Sequence, residues 1–416
     1  MTRLKRPALI ALITVFMGLV MGVIAAAFLA LLDVVTKLRQ EHLWLIALLP
    51  PIGAVTAVAY TKFGKESHKG SDLIIESVHQ AKPVPLRMAA LTFFFTLLTH
   101  LGGGSVGREG TAVQIGGALS NSIGRFFKAD TKMNRVIVMT GVSAGFGAVF
   151  GTPLSGAFFG LEMCFIGKFS YEAILPCFTA AYLGDFVTRA FGIHHPVHSI
   201  VAVPEFGIFT LAVVIAGAAI FGLTGKIFAV AVHSVKHMYE KLIKQPVLRV
   251  VIGSALVAAL MAVFHAYDYA GLANWMVDKG FAGQTSIIDP VMKFALTVLT
   301  LGGGLQGGEV TPMFDIGASL GGVIGRVTGV EVSLLAALGM ICVFGSAANT
   351  PLTTIILGIE LFGAAAAPYY VIAALIGYYI SGHGGLYRAQ VIALSKYHNE
   401  THIGKTLGEL ERGRKE

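Results

Sequence analysis

The stretch that decides the fold is GGGSVGREGTAVQIGG, residues 102–117. Its first residues end an apolar run, 88–107, that contains no Asp, Glu, Lys or Arg. If that run crosses a membrane, Arg108 and Glu109 lie where charge is costly and usually functional. The helix that begins after the glycines presents N–H groups and a positive dipole end, which suit an anion. The stretch predicts an anion site shared with Glu109; a glycine-rich bend with an ion pair that pins two helices is the alternative.

Composition predicts an integral membrane protein. Of the 416 residues, 55% are hydrophobic and only 13% are charged, and the mean hydropathy is +0.74. Globular domains are about a quarter charged, so a soluble fold is disfavoured. The three cysteines, Cys164, Cys177 and Cys342, match no metal or redox spacing. We therefore expect neither a metal site nor a cofactor.

The formal net charge of +8 does not indicate nucleic-acid binding, because the basic residues cluster between the apolar segments. This is the distribution that the positive-inside rule gives to cytoplasmic loops. We therefore expect a multi-pass protein of the cell membrane with both termini and a basic middle linker in the cytoplasm. The clusters are Arg3, Lys5 and Arg6 at the start, Lys236, Lys241 and Lys244 in the middle, and Arg412, Arg414 and Lys415 at the end.

Long apolar segments follow one another, and several are too short to cross about 30 Å of hydrocarbon as straight helices. Broken helices at membrane depth line a cavity or are buried in protein, which is typical of transporters. One segment is predicted at 136–161, and a short last helix from about Leu386. We expect a tail with the first helix, a first membrane repeat, a basic linker, a second membrane repeat and a short tail without a regulatory domain. Their predicted ranges are 1–42, 43–232, 233–248, 249–395 and 396–416.

Internal repetition gives the anion site its strongest support. Residues 97–117 are echoed by 296–317, and residues 146–162 by 344–360, about 200 residues later. Many transporters consist of such repeats, with the substrate site at the membrane midplane where the halves meet. The matched positions are Gly102–Gly104 and Gly302–Gly304, Glu109 and Glu309, Thr111 and Thr311, Pro153 and Pro351, and Glu162 and Glu360.

Four motifs in this order resemble the CLC family of chloride channels and anion/proton exchangers. They are KGSDL at 69–73, GREG at 107–110, GGEVTP at 307–312 and GLYRA at 385–389. The resemblance covers nearly the whole membrane domain. It implies an all-α integral membrane protein of two inverted repeats with broken and tilted helices, assembled as a homodimer in the lipid bilayer with one pore per subunit.

The resemblance also implies roles for the site residues. Glu109 would be the gate and proton carrier: its ionised carboxylate occupies an anion position, and the protonated form swings away. Hydroxyl groups of Ser71 and Tyr387 would donate to the anion. The anion-binding residues implied or predicted are Ser71, Arg108, Gly110, Glu309, Val310, Thr311 and Tyr387. For Glu309 we expect only the backbone N–H to serve, with its side chain paired or protonated.

The resemblance favours a fluoride/proton antiporter that exports fluoride, and a chloride transporter, either a chloride/proton antiporter or a passive channel, is the alternative. The GREGT and GGEVTP motifs resemble the fluoride-exporting branch, and an added Thr311 hydroxyl suits a small, strongly hydrated anion. Ser71, in contrast, is typical of chloride members. Met163 follows Glu162 where many exchangers carry an inner glutamate, which leaves a passive chloride channel as an alternative to proton exchange.

Further features allow other interpretations. His194, His195 and His198 are predicted to lie in a solvated loop, and a metal site is the alternative. Glu162 and Glu360 are predicted to anchor helix ends at the cytoplasmic surface. An intramembrane enzyme that uses Glu109 as acid or base needs a second catalytic side chain, and no convincing candidate accompanies it, so we expect no enzymatic activity.

Overall fold

The computed structural model describes residues 5–397 and 400–413, with the side chain of Lys5 left out. The predicted basic residues Arg3, Arg414 and Lys415 lie outside this part of the chain. Apart from one pair of two-residue strands, the described elements are helical, which confirms the all-α prediction.

The described residues form seventeen α-helices in two similar series. The first series is α1 (Lys5–Glu41), α2 (Leu49–Ala59), α3 (Ser71–Gln80), α4 (Arg87–Leu101), α5 (Glu109–Phe126), α6 (Thr131–Phe150), α7 (Pro153–Glu162) and α8 (Ile174–Ala190). The second is α9 (Ile208–Leu242), α10 (Pro246–Val263), α11 (Trp275–Phe281), α12 (Ile288–Gly302), α13 (Val310–Thr328), α14 (Val332–Ala348), α15 (Pro351–Phe362), α16 (Ala367–Ser381) and α17 (Leu407–Gly413).

The packing of α1 and α9 corrects the predicted boundaries. Helix α1 packs against α4, α6 and α8, and α9 packs in the same way against α12, α14 and α16. Each long helix therefore begins one half of the molecule, and the halves divide between α8 and α9. The predicted linker 233–248 was wrong, because α9 continues to Leu242 and only 243–245 separate it from α10.

Both halves change from one helix to the next at the same place, and in the first half this divides a predicted apolar segment. The segment predicted at 136–161 is two helices, since α6 ends at Gly151 with φ of 75° and Pro153 begins α7. In the second half Asn349 ends α14 with φ of 58°, and Pro351 begins α15. A residue in the left-handed region ends a helix, and a proline in the first turn lacks only an N–H that would be unpaired there.

Close helix contacts are also duplicated. A Cβ at Gly116 would lie 2.0 Å from the Gly141 carbonyl oxygen, so α5 and α6 touch through their backbones. A Cβ at Gly317 would lie 2.1 Å from the Gly339 oxygen, and α13 and α14 touch in the same way. Small residues at these crossings permit the short interaxial distance.

The apolar helices fit a membrane environment. Six helical stretches of the described chain are long and apolar enough to cross a bilayer, and side chains such as Leu12 and Phe16 are more than half exposed on α1. The stretches are Arg6–Glu41, Leu43–Lys69, Thr131–Phe150, Ile208–Leu242, Pro246–Val263 and Ala364–Ser381. Exposed apolar side chains at such positions suit lipid contact.

The last part of the chain differs from the prediction. Leu386 does not begin a helix, because residues 382–390 form bends and turns and the last helix is α17. Strand β2 (Val391–Ile392) pairs in parallel with β1 (Phe165–Ile166). This pairing ties the segment that carries Tyr387 to the chain just after α7.

Candidate functional site

The two glycine-rich loops meet at the centre of the molecule. Gly107 and Gly308 form an antiparallel bridge in which each N–H donates to the other's carbonyl oxygen. A Cβ at Gly308 would lie 2.8 Å from the Gly110 nitrogen, so the loops cross where side chains do not fit. Antiparallel pairing of equivalent loops agrees with the predicted inverted repeats. It places the N-termini of α5 and α13 next to each other.

Glu109 lies at this crossing and is fully buried. Its Oε2 accepts the Thr311 N–H at 3.2 Å and also accepts the Thr311 hydroxyl. Its Oε1 accepts the Arg108 Nε–H at 3.2 Å. A carboxylate of the first half is thus held at the N-terminus of α13, in the second half, where unpaired N–H groups and the dipole favour negative charge.

Glu309, the repeat partner of Glu109, has different contacts. Its carboxylate accepts its own backbone N–H and a hydrogen bond from Tyr387, whose side chain is 3% exposed. One carboxylate oxygen would lie 2.7 Å from a Cβ at Gly110. Val310 is buried as the first residue of α13. The side chain of Glu309 is therefore paired, and its N–H is engaged locally.

Ser71 begins α3 and is 8% exposed. Gly70 precedes it with φ of 59°, a left-handed conformation that favours glycine. The next residue, Asp72, accepts the Ala389 N–H with its Oδ1 at 3.0 Å. This hydrogen bond joins the start of α3 to the turn that contains Tyr387, so both predicted hydroxyl ligands lie in segments that are tied together.

A cavity of about 400 Å³, here called the gate cavity, reaches Glu109 from one side. Arg108 lies in its wall with 16% of its side chain exposed. Its wall also includes His195, His198, Asp278, Thr311, Asp315 and Glu360.

A second cavity of about 500 Å³, here called the tail cavity, lies beside α17. Residues that line it include Asp72, Glu76, His79, His237, Arg388 and Arg412. Asp72 and Arg388 place its wall next to Ser71 and Tyr387 in sequence. Predicted site residues thus line the gate cavity, and neighbours of two others line the tail cavity.

In the histidine loop, His194 is exposed, and His195 and His198 are partly buried. His195 and His198 line the gate cavity, and His198 pairs with Asp278 at 2.9 Å. Burial lowers the pKa of His195 to about 4, and Arg108 and Arg189 act in the same direction, so its imidazole is neutral at neutral pH. No cluster of His, Cys, Asp and Glu that could hold a metal ion occurs in residues 5–397 and 400–413.

Glu162 and Glu360 each cap a helix of the other half. Glu162 accepts the N–H groups of Leu352 and Thr353 at 3.0 and 2.8 Å, at the start of α15. Glu360 accepts those of Leu154 and Ser155 at 2.8 and 2.7 Å, at the start of α7. Both anchor helix ends as predicted. The predicted position at the cytoplasmic surface was wrong, because Glu162 is buried and Glu360 lines the gate cavity.

Sequence reasoning missed a buried ion pair next to the gate. Asp315 and Lys293 are fully buried, with 3.4 Å between Oδ2 and Nζ, and Asp315 lines the gate cavity. Lys293 also donates to the Gly271 carbonyl oxygen at 2.7 Å. The sequence spacing could have indicated Asp315 as a site residue, because Asp315 follows Thr311 by four residues and therefore shares its helix face.

The family follows from comparison with known proteins. A family profile described as "Voltage gated chloride channel" matches residues 52–382, most of the chain. The chain belongs to the CLC family. A protein from Pseudomonas syringae pv. tomato, named "Chloride/fluoride channel protein", is 42% identical over 388 residues, which cover 92% of this chain and 86% of that protein.

Solved CLC structures agree with the fold. A crystal structure of a CLC-type fluoride/proton antiporter superposes with a TM-score of 0.90 at 33% identity, covering 94% of this chain and 99% of that one. A slow cyanobacterial Cl⁻/H⁺ antiporter, at 18% identity, gives a TM-score of 0.76 over 97% of each chain, a likeness in fold alone. The predicted family and CLC-type fold are confirmed.

Proposed function

We propose that this CLC protein exchanges fluoride for protons and exports fluoride from the cell. The observation that carries the proposal is the Glu109 carboxylate, which accepts both the N–H and the hydroxyl of Thr311 at the start of α13. Helix N-termini bind anions, and a hydroxyl adds a donor. The similarity to a fluoride/proton antiporter at 33% identity supports fluoride and protons as the two substrates.

In this mechanism Glu109 and fluoride compete for one position. The ionised carboxylate occupies the N-terminus of α13, where the dipole and the Thr311 donors hold it. Protonation removes the charge, so the neutral side chain leaves toward the gate cavity and fluoride takes its place. Return of Glu109 requires loss of its proton and departure of the anion. This competition links the protonation of Glu109 to the entry and departure of fluoride.

We assign the other site residues around this position. Ser71 and Tyr387 donate hydroxyl hydrogen bonds to the anion, and the N–H of Val310 adds to those of Thr311. Tyr387 turns from Glu309 to the anion when the anion arrives. Three predicted residues act without a direct bond: Arg108 attracts the anion into the gate cavity, Gly110 admits the close approach of Glu309, and Glu309 supplies a hydrogen-bond acceptor for Tyr387.

We further propose a homodimer in the plasma membrane with both termini in the cytoplasm. Apolar side chains on α8 and α16 are exposed, among them Leu175, Phe186 and Leu375. Such faces suit either lipid or a second copy of the chain. Cross-linking in liposomes through cysteines introduced at Leu175 and Leu375 is expected to give dimers; monomers at all lipid-to-protein ratios would contradict this assembly.

The test is efflux from proteoliposomes loaded with equal fluoride and chloride, followed by ion-selective electrodes together with pH. Fluoride is expected to leave far faster than chloride, with protons moving in the opposite direction. In Glu109→Gln, which preserves shape but cannot ionise, proton movement is expected to stop. Wild-type fluoride efflux without proton movement would contradict exchange.

A chloride transporter or channel is the second candidate, and Ser71 is the observation that favours it. A serine at the start of α3 is the residue that the resemblance to chloride members of the family implies. Equal or faster chloride efflux in the same experiment would support it. Coupled protons would then indicate a chloride/proton antiporter, and uncoupled flux a passive channel.

A further inference from the structure

The exchange mechanism requires a proton route on the side of the gate that faces away from the gate cavity. Glu109 is fully buried, and the gate cavity reaches it from one side. A carrier that serves both faces must exchange its proton with both solutions. Side chains between Glu109 and the tail cavity must therefore carry the proton over the remaining distance. The inference below rests on the proposed fluoride/proton exchange.

Asp72 is the carboxylate of the tail cavity that lies beside the proposed anion ligands. It follows Ser71 in α3, and its Oδ1 accepts the Ala389 N–H at 3.0 Å, two residues after Tyr387. It lines the tail cavity and is only partly buried. One side of Asp72 therefore faces the cavity, and the other faces the segment that carries Tyr387.

A pair of titratable groups connects this position to the gate. Tyr387 is hydrogen-bonded to the Glu309 carboxylate, and the charge of Asp72 acts on both residues. A Glu309 oxygen in turn lies against Gly110, the residue after Glu109. The contacts therefore run from Asp72 to Ala389, two residues after Tyr387, then from Tyr387 to Glu309, and from Glu309 to Gly110 beside Glu109.

We propose that Asp72 is the proton-transfer residue on the tail-cavity side of this transporter. Its carboxylate takes a proton from water in the tail cavity and passes it to the pair of Tyr387 and Glu309, from which the proton reaches Glu109. Each transfer returns the donor to its starting charge. The reverse order releases a proton into the tail cavity.

The surroundings of Asp72 suit proton exchange near neutral pH. Burial raises the pKa of Asp72 to about 6, and Glu76 on the same helix acts in the same direction. The Ala389 N–H, Lys236 of α9 and Arg388 act in the opposite direction. Both protonation states are therefore accessible at cellular pH, as a transfer group requires.

A purely structural role for Asp72 makes a different prediction. An acidic residue in the first turn stabilises a helix, and Asp72 also holds Ala389. Asp72→Asn keeps an oxygen acceptor for the Ala389 N–H but cannot carry a proton. Glu76→Gln is the matched control, since Glu76 lines the same cavity but pairs with Lys69 and Lys82 at 3.2 and 2.7 Å.

The test measures fluoride binding by calorimetry, and fluoride and proton fluxes in proteoliposomes from pH 5 to 8. In Asp72→Asn, fluoride binding is expected to stay within about threefold of wild type, while the proton flux falls about 100-fold, the usual worth of a positioned acid or base. Asp72→Glu is expected to restore the flux with a shifted pH profile, and Glu76→Gln to keep the wild-type maximum flux with a pH profile shifted slightly to lower pH, because Glu76 raises the pKa of Asp72.

Two outcomes would overturn the role of Asp72. The first is a wild-type proton flux and pH profile in Asp72→Asn, and the second is an equal loss of fluoride binding and proton flux, which a structural role gives. If the wild-type protein itself moves no protons, the proposed exchange fails, and this inference fails with it. If the wild-type protein couples protons to fluoride and Asp72→Asn has the same proton flux, the inference about Asp72 fails while the proposed exchange stands.

Discussion

The loops that precede α5 and α13 share a sequence pattern but make different contacts. Thr311 of the second half donates its hydroxyl and N–H to Glu109 of the first. Thr111, its repeat partner, hydrogen-bonds instead to Thr96 of its own half at 2.9 Å. Glu309 likewise pairs with its own N–H and with Tyr387 rather than with α5. One of the two equivalent contacts crosses between the halves.

This difference in contacts shows how two similar halves form a single site. The features that both halves keep, such as the glycine contacts and the reciprocal caps of Glu162 and Glu360, build the scaffold. The features that differ lie at the crossing of the loops. In the repeat, Arg108 corresponds to Gly308, and Gly110 corresponds to Val310. Variants made in repeat-matched pairs therefore separate scaffold from site.

The largest expected effect concerns the shared glycine contacts. Gly116→Ala and Gly317→Ala each place a Cβ about 2 Å from a backbone oxygen, which a flexible side chain cannot relieve. Both are expected to abolish the folded protein, measured as the monodisperse fraction in detergent. Gly217→Ala, with its nearest contact at 3.5 Å, is the control and should fold normally. Folding of either contact variant would contradict the packing described.

The next effect separates the two threonines. In a Glu109→Gln background, where no carboxylate competes with the anion, Thr311→Val removes a hydroxyl donor to fluoride and is expected to weaken fluoride binding about 10- to 100-fold, the worth of roughly 1.5–3 kcal/mol for a hydrogen bond to a charged group. Thr311→Ser in the same background keeps the hydroxyl and should bind nearly as the Glu109→Gln parent. Thr111→Val should leave fluoride affinity within about threefold. Calorimetry measures the fluoride affinity of all three variants. Equal losses of affinity in Thr111→Val and Thr311→Val would contradict a site in which only Thr311 binds the anion.

The smallest effect concerns the caps. Glu162→Gln and Glu360→Gln each leave an N–H of the capped helix without an oxygen acceptor, which costs about 1–3 kcal/mol in a buried site. The loss of stability is expected to be greater for Glu162, which is 6% exposed, than for Glu360, which lines the gate cavity. Thermal unfolding in detergent measures both. A greater loss at Glu360 would contradict this ranking.

Much of the fold was predictable because apolar segments, glycines and prolines mark the membrane helices. Helix α13, for example, begins just after the second glycine-rich loop and ends before Gly329, which has a positive φ of 75°. Helices α3 and α11 were missed because they are short and carry polar residues. The second half was placed too late, because the basic residues after 232 suggested a linker although they continue α9.

The site was predictable at Glu109 and Thr311, where the motif and the repeat coincide. The contact between them was not, since no pattern in the chain states that Thr311 rather than Thr111 bonds across the halves. Asp315 and His195 reach the gate cavity through helix facing and loop folding, which depend on the tertiary structure. The roles of the site residues stay predictions until they are measured.

The most direct test of the central claim is proton uptake as fluoride binds to the detergent-solubilised protein in weak buffer near neutral pH. If fluoride displaces the Glu109 carboxylate and the freed side chain is protonated, fluoride binding must raise the number of bound protons, by linkage. The account predicts proton uptake in wild type and none in Glu109→Gln with fluoride still bound. Fluoride binding without proton uptake in wild type, or equal uptake in Glu109→Gln, would contradict it.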